Sequence, residues 1–271
     1  MAFPPAPNAI PAQGRRLHLG ATVEGWLTPS AEARLARLPD VLRQAFHWSA
    51  SDVSLPLPLN TTEANAFLAT LAQALKTTQA LPDWRNEVLD LVTPSGTASG
   101  LVLERSVFRL LGLTTRCVYA VASTEAGEVW LGKRSLGKRL NPGKFVPLAS
   151  GLVAAHETPT VAVARETQEE AGLEAPHVAF QLHAPRLLTS HAVPEGWMHE
   201  LAFVYRATLS PLQTPRNTDG EVDHFELVSK ETLIRYHAEQ RLTEETATVL
   251  SFLGLLNEAA PHSLLKTATS S

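Results

Sequence analysis

The sequence predicts an α/β fold in which a mixed sheet is flanked by helices, preceded by a smaller, α-rich segment of α+β type. Three observations predict it. Beyond Leu113, apolar and β-branched runs crowd together, with helix-like stretches only at 158–171 and 243–257. Before it, two stretches carry apolar residues at helical spacing. The period changes between the two parts, near residue 110.

The first dozen residues are rich in Pro and Ala and the last ten are small and polar, so 1–20 and 259–271 are expected to be flexible ends. From Thr28 to about Phe46 an N-cap candidate, Pro29 and a stripe of Leu35, Leu38, Val41 and Leu42 predict helix, divided in two at Pro39. A second helix starts at Thr61 or Thr62, with Ala66, Phe67, Leu71 and Leu75 on its apolar face. "EVLDLVT" and "GLVLERS" read as strands around the turn "PSGTAS", and "ERSVFRLLG" as a helical connector ending at Gly112. Residues 21–112 are thus an N-terminal extension and 113–258 a second domain.

With 271 residues, 44% of them apolar, the chain can bury a sizeable core. Its formal net charge of -4 gives no overall basic field for nucleic acid or an anionic membrane. The single cysteine, Cys117, excludes an internal disulfide and a paired-cysteine zinc site, and reads as a small buried strand residue. The N-terminus lacks the apolar run of a signal peptide, and no stretch approaches the roughly 20 apolar residues that span a bilayer. A cytoplasmic protein acting on a small molecule is the expectation.

One stretch carries the chemistry, "GLVAAHETPTVAVARETQEEAGL" at 151–173. Thr158-Pro159 and Gly172 bracket a helix. At about 100° per residue, Glu166, Glu169 and Glu170 share one arc, while Val161, Ala164 and Ala171 remain to pack on the sheet. Like charges at i and i+4 near a helix C-terminus cost stability unless a cation neutralises them. Carboxylate oxygens are hard donors, so the cation expected is Mg²⁺ or Mn²⁺, which joins protein to a substrate phosphate.

Gly151, Glu157, Arg165-Glu166, Glu169-Glu170, Gly172 and Leu173 stand at spacings that resemble the 23-residue signature of Nudix hydrolases. The one departure is Thr167, where the family usually has an apolar residue facing the sheet. The resemblance implies an α/β/α sandwich in which Glu166 and Glu170 ligate a divalent metal, Glu169 shares that role, and Glu157 and the Gly151 carbonyl complete the cradle. Arg165 would orient a glutamate. The substrate would be a diphosphate linked to another moiety, attacked by water at phosphorus. The general base varies in position within this family, and Glu200 and Glu221 are the candidates. Lys133 and Arg134, on the strand before the signature, could meet substrate phosphates. His156 is set aside, since a hard cation prefers oxygen.

"WRNE" at Trp84–Glu87, "LERSVFRLLGL" from Leu103, "WLGKRSLGKRLNPGK" from Trp130 and "PRNTDGEVDHFEL" from Pro215 are similar to one Nudix subgroup. It includes the Nudix domain fused to thiamine pyrophosphokinase in fission yeast, and it implies (oxy)thiamine diphosphate as substrate. The subgroup usually has "PGKLDN" and then a double glycine. Here Lys144 is followed by Phe145-Val146-Pro147, and Ser150 precedes Gly151, changes expected to alter the pocket wall.

A nucleoside diphosphate derivative is the main rival substrate, because the signature reports the diphosphate alone. An isomerase of isopentenyl diphosphate shares the fold but relies on a cysteine; Cys117 lies on an early strand, so isomerisation is discounted. A non-catalytic Nudix-like sensor would need a DNA-binding module and often loses signature glutamates, which are intact here. The N-terminal extension reads either as a packing or homodimerisation module or as a wall of the pocket.

Overall fold

The computed structural model describes residues 14–256 apart from 82, 139 and 175–177. The expected flexible tail, and residues 1–13 at the other end, lie outside the described residues. The rest of the expected flexible start is strand: "RRLHL" forms β1 (Arg15–Leu19), with Leu17 and Leu19 fully buried. Its alternation of apolar and polar residues is the strand period, in a segment too short to stand out from the composition around it.

β2 (Val23–Leu27) pairs antiparallel with β1. α1 (Pro29–Leu35) and α2 (Asp40–Arg43) follow, parted at Pro39 as expected; the Thr28 side chain accepts the Ala31 N–H. β3 (His47–Trp48) and β4 (Asp52–Leu55) complete a sheet of order β2-β1-β4-β3, in which β1 and β4 are parallel. The extension therefore owes its core to a sheet as much as to helices.

α3 (Thr61–Thr77) starts at Thr61 as expected and is capped by Asn60. It buries Ala64, Leu68, Leu71, Ala72 and Leu75 and leaves Ala66 exposed, so the apolar face is rotated from the expected one by about a residue. β5 (Val88–Val92) and β6 (Ala98–Glu104) form the predicted hairpin, and α4 (Arg105–Leu111) ends at Gly112 in the left-handed conformation. A Cβ on Gly112 would lie 2.2 Å from the Trp26 carbonyl oxygen, so α4 and β2 meet backbone to backbone.

The second sheet has the path β11-β12-β7-β8-β13, with β10 paired to β7 and β9 to β8. Its strands are β7 (Thr114–Ser123), β8 (Val129–Arg134), β9 (Phe145–Val146), β10 (Ala149–Leu152), β11 (Phe180–Val193), β12 (Gly196–Thr208) and β13 (Val222–Val228). It is mixed, because β12 runs parallel to β7 while the remaining pairs are antiparallel.

Alternation along β7 divides the core. Val118, Ala120 and Ala122 face α5 (Pro159–Ala171), whereas Cys117, Tyr119 and Val121 face α6 (Lys230–Ala238) and α7 (Glu244–Phe252). The result is an α/β/α arrangement. α6 was not expected from the sequence, although Ser229 caps it through the Thr232 N–H and Leu233 and Tyr236 are buried one turn apart. On α5 the sheet-facing residues are Ala162, Val163, Thr167 and Ala171; Val161, expected to pack there, is 57% exposed. At about 100° per residue Val161 falls on the far side of the helix from Val163 and Thr167, which the sheet covers. No helix among the described residues is long and apolar enough to cross a membrane.

Candidate active site

α5 is set in place from both ends. The Thr158 hydroxyl accepts the Val161 N–H, Pro159 occupies the first turn, and Gly172 closes the helix with its N–H donated to Gln168 O. Antiparallel pairing of β10 with β7 brings Gly151 opposite Val118 and sets it beside the helix. A Cβ on Gly151 would lie 2.0 Å from the Glu166 carboxyl carbon, so that carboxyl occupies the space which only a glycine leaves. The Ser150 N–H donates to Glu170 Oε2 at 3.0 Å.

Arg165 ties the signature together. Its Nε donates to Glu157 Oε1 at 3.0 Å and its Nη2 to Glu157 Oε2 at 3.0 Å, a bidentate pair. Nη1 reaches Glu166 Oε1 at 2.6 Å and Glu169 Oε2 at 3.0 Å, and Nη2 also donates to the Leu152 carbonyl at 3.1 Å. Burial works to raise the Glu157 carboxyl, but the Arg165 hydrogen bonds and the Ala154 N–H hold it below the usual range. Glu166 goes the other way: burial lifts it despite Arg165.

Glu170 is pushed up to about 8, first by burial and then by the charges of Glu166, Glu221 and Asp219, against the Ser150 hydrogen bond. Such a carboxyl is short of positive charge. Among the described residues no three carboxylate, imidazole or thiol groups already stand in a ligating arrangement. The donor set nevertheless fits a divalent cation. Hard oxygens converge beside a glycine that leaves room for nothing larger, and the like charges raising Glu170 are those a cation would offset.

A cavity of about 600 Å³ opens beside these groups. Ser150, Gly151, Arg165, Glu166 and Glu170 border it, and so do both candidate bases, Glu200 and Glu221. Glu221 is one of the charges acting on Glu170, and Lys138 pairs with it at 2.5 Å. Glu200, on β12, is pushed up to about 7 by burial and then by Glu245, against Arg109 and Arg105. Glu157 stands behind Arg165 as its partner, and Glu169 is 55% exposed on the outer side of the helix.

Lys133 and Arg134 do not border the cavity. Lys133 is paired within β8 to Phe145 and His224, and Arg134 Nε donates to the Leu140 carbonyl at 3.2 Å. Besides Arg165, the described cations that border it are Arg85, Arg105 and Arg109, these three from the N-terminal segment. Their only sequence signal was membership of the "WRNE" and "LERSVFRLLGL" stretches, which named no role. Phe145 is likewise away from the cavity, fully buried and stacked 4.7 Å from Tyr236, so of the departures from the subgroup pattern it is Ser150 that touches the pocket. His156 keeps its imidazole 77% exposed. Cys117 is buried in β7 as expected, yet borders the cavity.

The NUDIX domain family matches residues 113–253, just over half of the chain. The chain belongs to the NUDIX family. Nudix hydrolase 24, chloroplastic, of Arabidopsis thaliana is 26% identical over 55% of this chain, and the match spans 41% of that protein's length. An isopentenyl-diphosphate Delta-isomerase of Streptomyces griseus is 27% identical over 60% of this chain and 81% of its own. Among solved structures, DR0079 from Deinococcus radiodurans superposes with a TM-score of 0.47 at 23% identity, over 61% of this chain and 98% of that one. The MutT protein from Methanosarcina mazei gives 0.41 at 22%, over 54% and 96%. The NUDIX domain thus begins where the connector α4 ends, and the extension before it supplies part of the cavity.

Proposed function

We infer that the protein hydrolyses a diphosphate linkage in a small molecule, with Mg²⁺ or Mn²⁺ held by Glu166 and Glu170, Glu169 adding to the set, and Glu157 and the Gly151 carbonyl completing the cradle. The observation that carries the reading is the convergence of Glu166 and Glu170 on Gly151 at the edge of a cavity that also holds two candidate bases. When bound, the cation supplies charge neutralisation at the phosphates and lowers the pKa of water.

The chain's own residues do the rest. Arg165 fixes Glu157 and Glu166 through four hydrogen bonds to them and to the Leu152 carbonyl, so neither carboxylate has to reorganise during the reaction. Glu221, beside Glu170, is the group placed to accept a proton from water at that end, and Glu200 serves the other end. Water adds to one phosphorus, the P–O bond to the bridging oxygen breaks, and its electron pair leaves with the departing phosphate.

The organic group packs against Phe108, Leu113, Tyr119 and Met198 of the lining, which suits a ring system. Thiamine-type and nucleoside diphosphates are the two classes that fit it. Isomerisation is the second reading, favoured by Cys117 at the cavity and by the name of the Streptomyces relative. Against it, burial and then Glu200 push the thiol well above its usual range. The test is product analysis with Mg²⁺ over thiamine, oxythiamine, nucleoside and isopentenyl diphosphates. Phosphate release supports hydrolysis, and conversion of isopentenyl diphosphate without release supports the isomerase.

A further inference from the structure

The N-terminal segment brings three arginines to the cavity by a built device. Asn86 sits in the left-handed region at φ 56°, which turns the backbone so that Arg85 and Glu87 both give their N–H groups to the buried Glu104 carboxylate, at 3.0 and 3.1 Å. The same carboxylate caps α4 through Ser106, whose hydroxyl donates at 2.9 Å. The loop before β5 and the first turn of α4 are thereby fixed to one another. Arg105 pairs with Glu87 at 2.7 Å and keeps further N–H groups free to donate, and Arg85 lies 3.5 Å from Asp83.

Arg109, one turn on along α4, is exposed in the cavity lining and makes no side-chain hydrogen bond or ion pair among the described residues. α4 packs on β12, which carries Glu200. Arg105 and Arg109 both act on Glu200, whereas the charges acting on Glu170 are those of Glu166, Glu221 and Asp219. β12 and β10 pair with opposite edges of β7, with Glu200 opposite Thr115 and Gly151 opposite Val118, so the arginine end and the carboxylate end are separate parts of one cavity.

We propose that Arg109, flanked by Arg105, is an oxyanion subsite supplied by the N-terminal segment, which binds a second anionic group of the substrate, phosphate or carboxylate, remote from the diphosphate. This rests on the proposed function for what occupies the carboxylate end. It narrows the substrate to a diphosphate whose organic part carries its own negative charge, which disfavours the thiamine-type class, whose organic part is cationic, and it makes the extension part of the substrate site.

The test is calorimetric titration of the full chain with inorganic phosphate and, separately, with acetate, in chelator, where the uncompensated carboxylates repel anions at their own end. Binding to wild type and to Glu170→Gln, weakened about tenfold or more in Arg109→Ala and partly restored in Arg109→Lys, is the expected result. No binding by wild type, or equal binding by Arg109→Ala, overturns the subsite. If phosphate binds and acetate does not, the group is a phosphate; the converse makes it a carboxylate. A matched pair, UDP-glucuronate against UDP-glucose, then reads KM. A lower KM for the acid that disappears in Arg109→Ala supports the subsite, while hydrolysis of neither nucleotide leaves the phosphate titration to decide it and counts only against the proposed function for these substrates.

Discussion

Asp90, from the N-terminal hairpin, accepts the backbone N–H of His156, in the loop of the carboxylate signature, at 3.1 Å. His156 holds a left-handed φ of 65°, a conformation uncommon outside glycine that histidine adopts more readily than most residues. The same Asp90 oxygen takes a 2.6 Å hydrogen bond from Arg116 on β7, and both side chains are at least nine-tenths buried. The Ala155 N–H donates to the Val88 carbonyl alongside. The extension therefore helps to shape the loop between Gly151 and α5.

Replacing Asp90 by Ala strands Arg116 and frees that loop. Breaking one side of a buried ion pair costs about 3 kcal/mol. Urea unfolding is expected to show a loss of that order, and Mg²⁺ titration of the folded variant a weaker affinity.

Gly151→Ala places a methyl carbon on the Glu166 carboxyl. Since the contact is with the end of a side chain, the fold survives and the carboxyl is displaced. Diphosphate hydrolysis falls by about 100-fold, while the unfolding midpoint changes little. A variant with full activity would remove Glu166 from the site.

Thr167 is fully buried on the sheet-facing side of α5, and its hydroxyl has no hydrogen-bond partner among the described residues. Thr167→Val replaces the orphan hydroxyl by a methyl of similar size. It should stabilise the chain by about 1 kcal/mol in urea unfolding and leave activity unaltered.

Glu200 gives a pH signature. Its folded pKa, about 7, lies above the value expected in an unfolded chain, so its proton stabilises the fold fully below the unfolded pKa, and that contribution is lost as pH rises through 7. Glu200→Gln has no such loss. Relative to wild type, the melting temperature of the variant should therefore climb between pH 4.5 and 7 and level off above it; a constant difference would contradict the shift.

The signature helix was legible because its boundaries are chemical: Thr158, Pro159 and Gly172 can each be read at a helix end without knowing what surrounds it. Its buried face was less so, since Val161 and Val163 are equally apolar but fall on opposite sides of the helix, and only the tertiary fold decides which side the sheet covers. α6 escaped notice because a short helix with five polar or charged residues in nine looks like a loop until Leu233 and Tyr236 find a sheet to pack on. Lys133 and Arg134 were placed by their strand's position before the signature, but at the end of β8 they pair with β9 and β13 and do not border the cavity. Arg85, Arg105 and Arg109 reach the cavity through long-range packing of α4 on β12, which no local pattern encodes.

The proposed function stands on Glu166 and Glu170 holding a divalent cation that drives diphosphate hydrolysis. The direct measurement is phosphate release from the best diphosphate substrate as Mg²⁺ is titrated, for wild type beside Glu166→Gln and Glu170→Gln. Activity is expected to require the cation, with both variants reduced by about 100-fold or more at saturating Mg²⁺. Hydrolysis that persists in chelator, or that either variant retains, would contradict it.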